Sequence, residues 1–590
     1  MALIGRKTKR RRTAPQAYVI EEARDQATSA APVSVHAQSS RARHSRRVRQ
    51  RIQMCGVVFV FAFSMLGVRL ALITFDHTGD PHQIARASLE FAERPEIVDR
   101  QGALLAMDLP MIALEIAGRE VWDYEDTARA IAQTLSDVDA AALEAKLRAG
   151  RYVEVRSDLS PAEREAVFNL GLPGVRFATR TKRAYPHGPL AAHVIGNAEA
   201  GRGGVMGLEK VANAFKGGAP LMASIDIRVQ QTLEKELSAA CAEYDAKAAW
   251  GVVMDAETGE VIALASLPDF DPNAPGAAPD DFRRNRVTYD RYELGSAFKA
   301  ISAAAALDAG VASEDSGYDA RGSFRIADRR ITDLHGENRM LTFSEVVQHS
   351  SNIGIARIAA DLGADAQKSY LRALGMFEPL AIELNENRAP DLPTQWGPVE
   401  NATIAYGHGI AVTPLHLLAG FTAVVNGGDY IGPTFLAASA ERSRARVFKS
   451  ETSAAMRRVL RRVITDGTGG AAEVDGYFPI GKTATADKPA FGGYDESARI
   501  ASFVGAFPGY APKYTVLISL DDPQPTRETF GFATAGWNAA PVFSRVVERI
   551  APVLNVASVS ESVALAAFVS GAVEPVHEAR APSLAPEAVQ

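Results

Sequence analysis

At 590 residues the chain exceeds what one hydrophobic core organises, so two or more domains with tails are expected. Apolar residues at 47% and charged residues at 23% are ordinary globular composition, and a net charge of -6 gives no pull toward nucleic acid, which is not expected as a partner. The two cysteines, Cys55 and Cys241, stand far apart and suggest neither a disulfide framework nor a cysteine metal site; no metal and no cofactor is expected.

Residues 1–53 carry thirteen Lys and Arg against three acidic residues, with Ala, Ser and Gln between the basic clusters. Such a segment is expected to be a disordered cytoplasmic tail whose counterpart is anionic membrane lipid or a cytoplasmic partner. Residues 54–75, MCGVVFVFAFSMLGVRLALITF, would extend roughly 33 Å as a helix, enough to cross a bilayer core. The leader is far longer than a signal peptide allows and no small-x-small site follows, so an uncleaved, single transmembrane anchor is expected. Basic residues before the span, with Asp76 and Asp80 after it, place the N-terminus in the cytoplasm and the large C-terminal part outside the inner membrane.

Residues 76–222 mix short strand-like runs such as Glu96-Ile97-Val98 with a helical stretch from Asp126 to Ala149, and hold no compact set of catalytic residue types; a scaffold domain is expected. From 223 to 556 a second domain is expected. It carries a helix over Arg228 to Leu237, then WGVVMDAETGEVIALAS, in which Glu257-Thr258-Gly259 is the turn between two alternating strands. Helices are predicted over Ser296 to Asp308 and Thr342 to Leu362, and strands over Tyr477 to Thr485, Arg499 to Gly505 and Tyr514 to Leu520. Strands and helices in separated runs make the domain α+β. Residues 557–590, rich in Ala, Ser, Pro and Glu, are expected to be a flexible tail.

Ser296-Ala297-Phe298-Lys299 sets a hydroxyl and an amine three residues apart, on one face of a helix that begins just after Gly295. The helix dipole there favours an alkoxide, and a desolvated lysine, or one near another cation, can accept the serine proton. Ser-x-x-Lys alone is a weak pattern. Two companions give it meaning: Ser350-Ser351-Asn352 within VVQHSSNIGIARIA, and Lys482-Thr483-Ala484-Thr485, preceded by Gly481 on a predicted strand.

In that order and spacing the three segments resemble the signature of the penicillin-binding protein and serine β-lactamase superfamily. The resemblance implies an antiparallel sheet flanked by helices, standing on an N-terminal pedestal. It implies that Ser296 forms the acyl-enzyme, Lys299 is the general base, Ser350 relays protons to the leaving amine and Asn352 orients the substrate amide. Lys482 and Thr483 would hold the substrate's terminal carboxylate on the strand that continues through Ala484 and Thr485. Backbone N–H groups of Ser296 and of that strand would form the oxyanion hole, and the donor peptide would add to the strand's edge. The family has glycine where this chain has Ala484, so an altered substrate or inhibitor fit is expected.

Further segments are similar to class B penicillin-binding proteins. These are Arg94 to Gly102, departing at Pro95 and Gln101; Arg183 to Gly188; Gly204 to Glu209; Tyr406 to Pro414; and Gly467 to Gly470. Leu294 replaces the usual proline before the nucleophile turn, and His408, between two glycines, is expected to be a loop residue. The resemblance is to the division-specific branch. It implies a β-lactam-inhibited serine transpeptidase acting on stem peptides that end in D-Ala-D-Ala, at the septum. Its glycan strands would come from an FtsW-type glycosyltransferase among other divisome membrane proteins. The alternatives are an elongation-specific class B transpeptidase and a β-lactam-binding divisome subunit with weak catalysis.

Overall fold

The computed structural model describes Met54, residues 60–61 and 63–67, and then 94–571 apart from 200, 216–218, 335, 438–442 and 491–492. The basic leader, most of the expected anchor at 54–75 and the last residues from 572 lie outside the described residues. The described residues before 86 are helical and exposed. No helix among the described residues is long and apolar enough to cross a membrane.

The pedestal is built on one long strand, β2 (Leu104–Ala117), which pairs with β1 (Ile97–Val98) at its start, with β3 (Tyr152–Leu159) at its end and with β4 (Val175–Ala184) along most of its length. Helices α1 (Tyr124–Thr134) and α2 (Ala140–Arg148) lie between β2 and β3 and bury Ile131, Leu143 and Leu147 against Leu114 and Ile116 of β2. The single helix predicted from 126 to 149 is therefore two. Asp139 accepts the N–H groups of Ala141 and Ala142, so it starts a new helix at the point where the apolar period continues unchanged.

Three segments that are far apart in sequence meet in the pedestal as one ionic cluster. Glu209, fully buried, takes Arg94 Nη2 at 2.8 Å and Arg183 Nε at 2.7 Å. Arg183 also reaches Asp108 Oδ1 at 3.1 Å and the carbonyl of Pro95 at 2.9 Å. A buried carboxylate is tolerated only when it is paired in this way.

A short strand, β5 (Leu221–Met222), runs parallel to β1 and leads into α4 (Ile227–Glu243). Asp99 joins the two parts: Oδ1 accepts the N–H groups of Gln101 and Ala103 at 2.8 and 2.7 Å, and Oδ2 accepts the N–H of Ile227, in the first turn of α4, at 3.1 Å.

The second sheet holds five antiparallel strands in the order β8-β9-β10-β6-β7, where β6 is Ala248–Asp255, β7 Val261–Leu267, β8 Ile480–Ala490, β9 Gly493–Phe507 and β10 Tyr514–Asp521. Alternate residues of β6 go to opposite cores, as a period of two requires. Ala249 and Val253 pack with α4 and with α10 (Ala539–Val553), whereas Trp250, Val252 and Met254 face the helical side that carries the candidate site. Strand β8 is an edge.

Two further expectations are corrected. The run from Thr342 to Leu362 is two helices, α6 (Phe343–Gln348) and α7 (Asn352–Leu362), because Ser350 takes a left-handed conformation, φ +60°. The expected flexible tail from 557 contains a helix, α11 (Glu561–Ser570), whose Ala564 and Phe568, four apart on one face, are buried. Phe568 meets Tyr510 edge-on at 6.4 Å, and the carbonyl of Gly571 accepts Arg457 Nη2 at 2.9 Å.

Candidate active site

The candidate nucleophile sits on a tight turn. Gly295 has φ +53° and opens a 3-10 turn, Gly295–Ala297, that runs directly into α5 (Phe298–Asp308). Ser296 is half-exposed, and its hydroxyl makes no hydrogen bond among the described residues. The turn is pinned from the segment 406–414: Tyr292 and Val412 exchange backbone hydrogen bonds of 2.9 and 3.0 Å, and Glu293 Oε1 accepts the N–H of Gly409 at 3.0 Å. Gly407, φ +81°, lies against Gly295 with no room for a side chain. Leu294 is buried between these fixed points, so the loss of proline there leaves the turn held from both sides.

Lys299 lies one helical turn on and is fully buried. Its Nζ donates to the carbonyl of Ser350 and, at 3.0 Å, to Ser350 Oγ. Burial, and then the charge of Lys482, hold the Lys299 amine well below the ordinary lysine range, against a smaller opposing effect of Asp333. Lys482 of β8 is also fully buried, and burial lowers it to about 7. Its Nζ donates to Thr483 at 3.1 Å (carbonyl) and 3.3 Å (Oγ1). Ser296, Lys299, Ser350 and Lys482 thus converge from three distant segments. The 3-10 turn before α5 abuts β8 directly: a methyl on Gly295 would touch Ala486 at 3.3 Å.

The other predicted residues of β8 divide between its two faces. Thr483 shares a 2.6 Å hydroxyl–hydroxyl hydrogen bond with Thr468, and Thr485 Oγ1 accepts the N–H of Ala535 at 3.1 Å, turned toward the loop after β10. Ala484 lies on the same face as Lys482 and is buried in the helical-side core. Asn352 begins α7, and its Nδ2 reaches the carbonyl of Thr332 at 3.4 Å. His408 packs between Tyr406 and Tyr494, at ring distances of 5.3 and 5.5 Å, where burial lowers its pKa; it fills the loop. A cavity of about 530 Å³ opens beside Glu293, Asp391 and Asp487, and none of the eight predicted site residues lines it.

Residues 249–548 match the family model described as the penicillin binding protein transpeptidase domain, and residues 89–213 match the penicillin-binding protein dimerisation domain. The probable peptidoglycan D,D-transpeptidase FtsI of Caulobacter vibrioides is 39% identical over 536 residues, covering 88% of this chain and 91% of its own. The chain is a class B penicillin-binding protein. Lower likeness extends to the probable peptidoglycan D,D-transpeptidase PenA of Neisseria meningitidis (30% identical, 82% of this chain and 88% of that one) and to the peptidoglycan D,D-transpeptidase FtsI of Escherichia coli K12 (27%, 85% and 91%).

Within this penicillin-binding protein, sequence reasoning missed two side chains that touch the signature segments. Thr468 belongs to a Gly-Thr-Gly-Gly stretch that resembles a tight turn, and its hydroxyl gives no sign of its partner. Asp333 lies in an ordinary polar stretch, yet its carboxylate binds the Ser351-Asn352-Ile353 turn. No spacing signal could have found it, since the contact is made by the fold. Gly407 did carry a signal, as the first glycine of a Gly-x-Gly pair, but it serves as a clamp on the nucleophile turn as well as a bend.

Proposed function

We propose that this class B protein is a peptidoglycan D,D-transpeptidase that cross-links stem peptides ending in D-Ala-D-Ala through an acyl-enzyme on Ser296. The observation that carries the reading is the buried Lys299 amine, 3.0 Å from Ser350 Oγ and one helical turn after the Ser296 hydroxyl. Lys299, whose protonated form burial disfavours, takes the Ser296 proton as Oγ attacks the penultimate D-Ala carbonyl. The proton passes through Ser350 to the leaving nitrogen as the peptide C–N bond breaks, and free D-Ala departs. An acceptor amine then attacks the ester and gives up a proton through Ser350 to Lys299; its C–N bond forms, the Oγ–C bond breaks, and that proton passes from Lys299 to Ser296.

Lys482 and Thr483 hold the terminal carboxylate, Asn352 orients the substrate amide, and the donor peptide lies along the open edge of β8 through Ala484 and Thr485. β-Lactams acylate the same serine. We assign residues 76–222 to the pedestal and 223–556 to the transpeptidase domain, with 54–75 as a single-pass inner-membrane anchor that leaves both domains periplasmic. The FtsI relatives support a division role; at the septum an FtsW-type glycosyltransferase and other divisome proteins would be its partners.

Labelling of the full-length protein with a fluorescent penicillin tests the chemistry: wild type is labelled and Ser296→Ala is not. A labelled Ser296→Ala would overturn it. A fluorescent fusion concentrated at the septum supports the division role, and a lateral distribution assigns the enzyme to elongation.

A further inference from the structure

Ser350 meets Lys299 only because the chain breaks between α6 and α7, and a carboxylate from outside the signature segments holds that break. Asp333 follows the hairpin of Phe324–Ile326 and Arg329–Ile331. Its Oδ2 accepts the Ser351 hydroxyl at 2.7 Å, and its Oδ1 accepts the N–H groups of Asn352 at 2.5 Å and Ile353 at 3.0 Å. Ser351 Oγ in turn accepts the N–H of Gly354 at 2.9 Å, closing the first turn of α7. A carboxylate at a helix start is favoured by the exposed N–H groups there.

Ser350 immediately precedes this clasp with φ +60°, a left-handed conformation that is strained for a non-glycine residue. Strain of that kind persists only where neighbouring contacts fix the backbone. The three contacts made by Asp333 begin one residue later, so they supply that constraint on the C-terminal side. On the N-terminal side the N–H of Ser350 reaches the carbonyl of Val347 at 3.3 Å and the N–H of Ser351 that of Val346 at 2.9 Å, which caps α6 around the left-handed serine but fixes nothing beyond residue 351.

We propose that Asp333 is a positioning residue of the transfer reaction: by clasping residues 351–353 it holds Ser350 in the left-handed conformation that sets its hydroxyl 3.0 Å from Lys299 Nζ. The inference rests on the reading of Lys299 and Ser350 given above. Its negative charge has a second effect. The charged groups facing Lys299 are Lys482 from β8, which disfavours the protonated amine, and Asp333, which favours it; the charge of Lys299 in turn lowers His408 in the loop 406–414.

The test uses the full-length protein and a fluorescent penicillin, with noncovalent affinity and acylation rate resolved separately across pH. Ser296→Ala is the control: if it is labelled, the underlying reading fails whatever the Asp333 variants do. With that control unlabelled, Asp333→Ala is expected to lower the acylation rate by about tenfold or more, with a much smaller change in affinity. Asp333→Asn keeps the two N–H contacts through its amide oxygen but removes the charge. It should recover most of the rate, and its acid limb should move to lower pH, because Lys299 then loses its proton more readily. Wild-type acylation by Asp333→Ala would overturn the proposal. Where Asp333→Ala does not fold, Ser351→Ala, which removes the hydroxyl that Asp333 Oδ2 holds, decides instead: a wild-type acylation rate overturns the proposal, and a slowed rate with little change in affinity supports it.

Discussion

A methyl group on Gly407 would lie 2.2 Å from the carbonyl oxygen of Gly295 and 2.7 Å from its nitrogen, so the nucleophile turn and the segment 406–414 touch backbone to backbone. Gly407 also has φ +81°. Gly407→Ala is therefore expected to push the turn off β8 and slow penicillin acylation by about a hundredfold, the usual effect of an ångström-scale misplacement. Gly409, φ +80°, has its nearest neighbour at an ordinary 3.5 Å, so Gly409→Ala should cost about 1–2 kcal/mol in a thermal melt and keep most of the acylation.

Lys482 fixes the sign of one pH effect. Burial lowers its pKa to about 7, so the protonated form is depleted as pH rises through that value. An anionic ligand needs that form. The noncovalent affinity for a penicillin is expected to weaken above pH 7, by at most about tenfold per pH unit, and a penicillin methyl ester should show no such trend. Stopped-flow measurement of both ligands between pH 6 and 9 checks it.

Thr468 is exposed, and its hydroxyl is tied to the binding strand through its hydrogen bond to Thr483. Thr468→Val should leave the melting temperature unchanged and weaken penicillin affinity by about 0.5–1.5 kcal/mol, the worth of one hydrogen bond; Thr468→Ser should restore it. Equal affinities for all three proteins would show that Thr483 orients itself.

In the pedestal, Glu209 is buried between Arg94 and Arg183. Removal of a single member of such a cluster strands the other charges, so Glu209→Ala is expected to destabilise the protein by about 3–5 kcal/mol in urea unfolding. Glu209→Gln, which keeps its acceptor oxygen, should cost less. Both proteins, while folded, should still capture penicillin, since the cluster touches no residue of the site.

Ala484 carries its methyl into the core beside Lys482, not along the free edge of β8. Ala484→Gly should cost about 1 kcal/mol through the lost methyl and the freer backbone. A changed acylation rate in that variant would show that the methyl also shapes the groove, and an unchanged rate would assign it to packing alone.

The chemistry of the site was largely legible because the three segments with hydroxyl and amine groups, around Ser296, Ser350 and Lys482, are contiguous in sequence. Hydrophobic periodicity also gave the strands of the second sheet. It failed at Ser350, where the apolar pattern of VVQHSSNIGIARIA continues through a break that only a left-handed serine reveals. It failed again at α11, because a helix that buries only Ala564 and Phe568 looks by composition like an Ala-rich tail. Asp333 and Thr468 were illegible for another reason: each acts across a gap of fifteen to twenty residues that tertiary packing closes.

Asp99 has a mechanical meaning. One of its oxygens is committed to Gln101 and Ala103, the other to the first turn of α4, and Leu233 and Leu237 of that helix underlie the sheet that ends in β8. The carboxylate acts as a rivet: a single side chain fixes the spacing between the turn 99–103 and the start of that helix, so the two cannot shift apart without breaking a hydrogen bond.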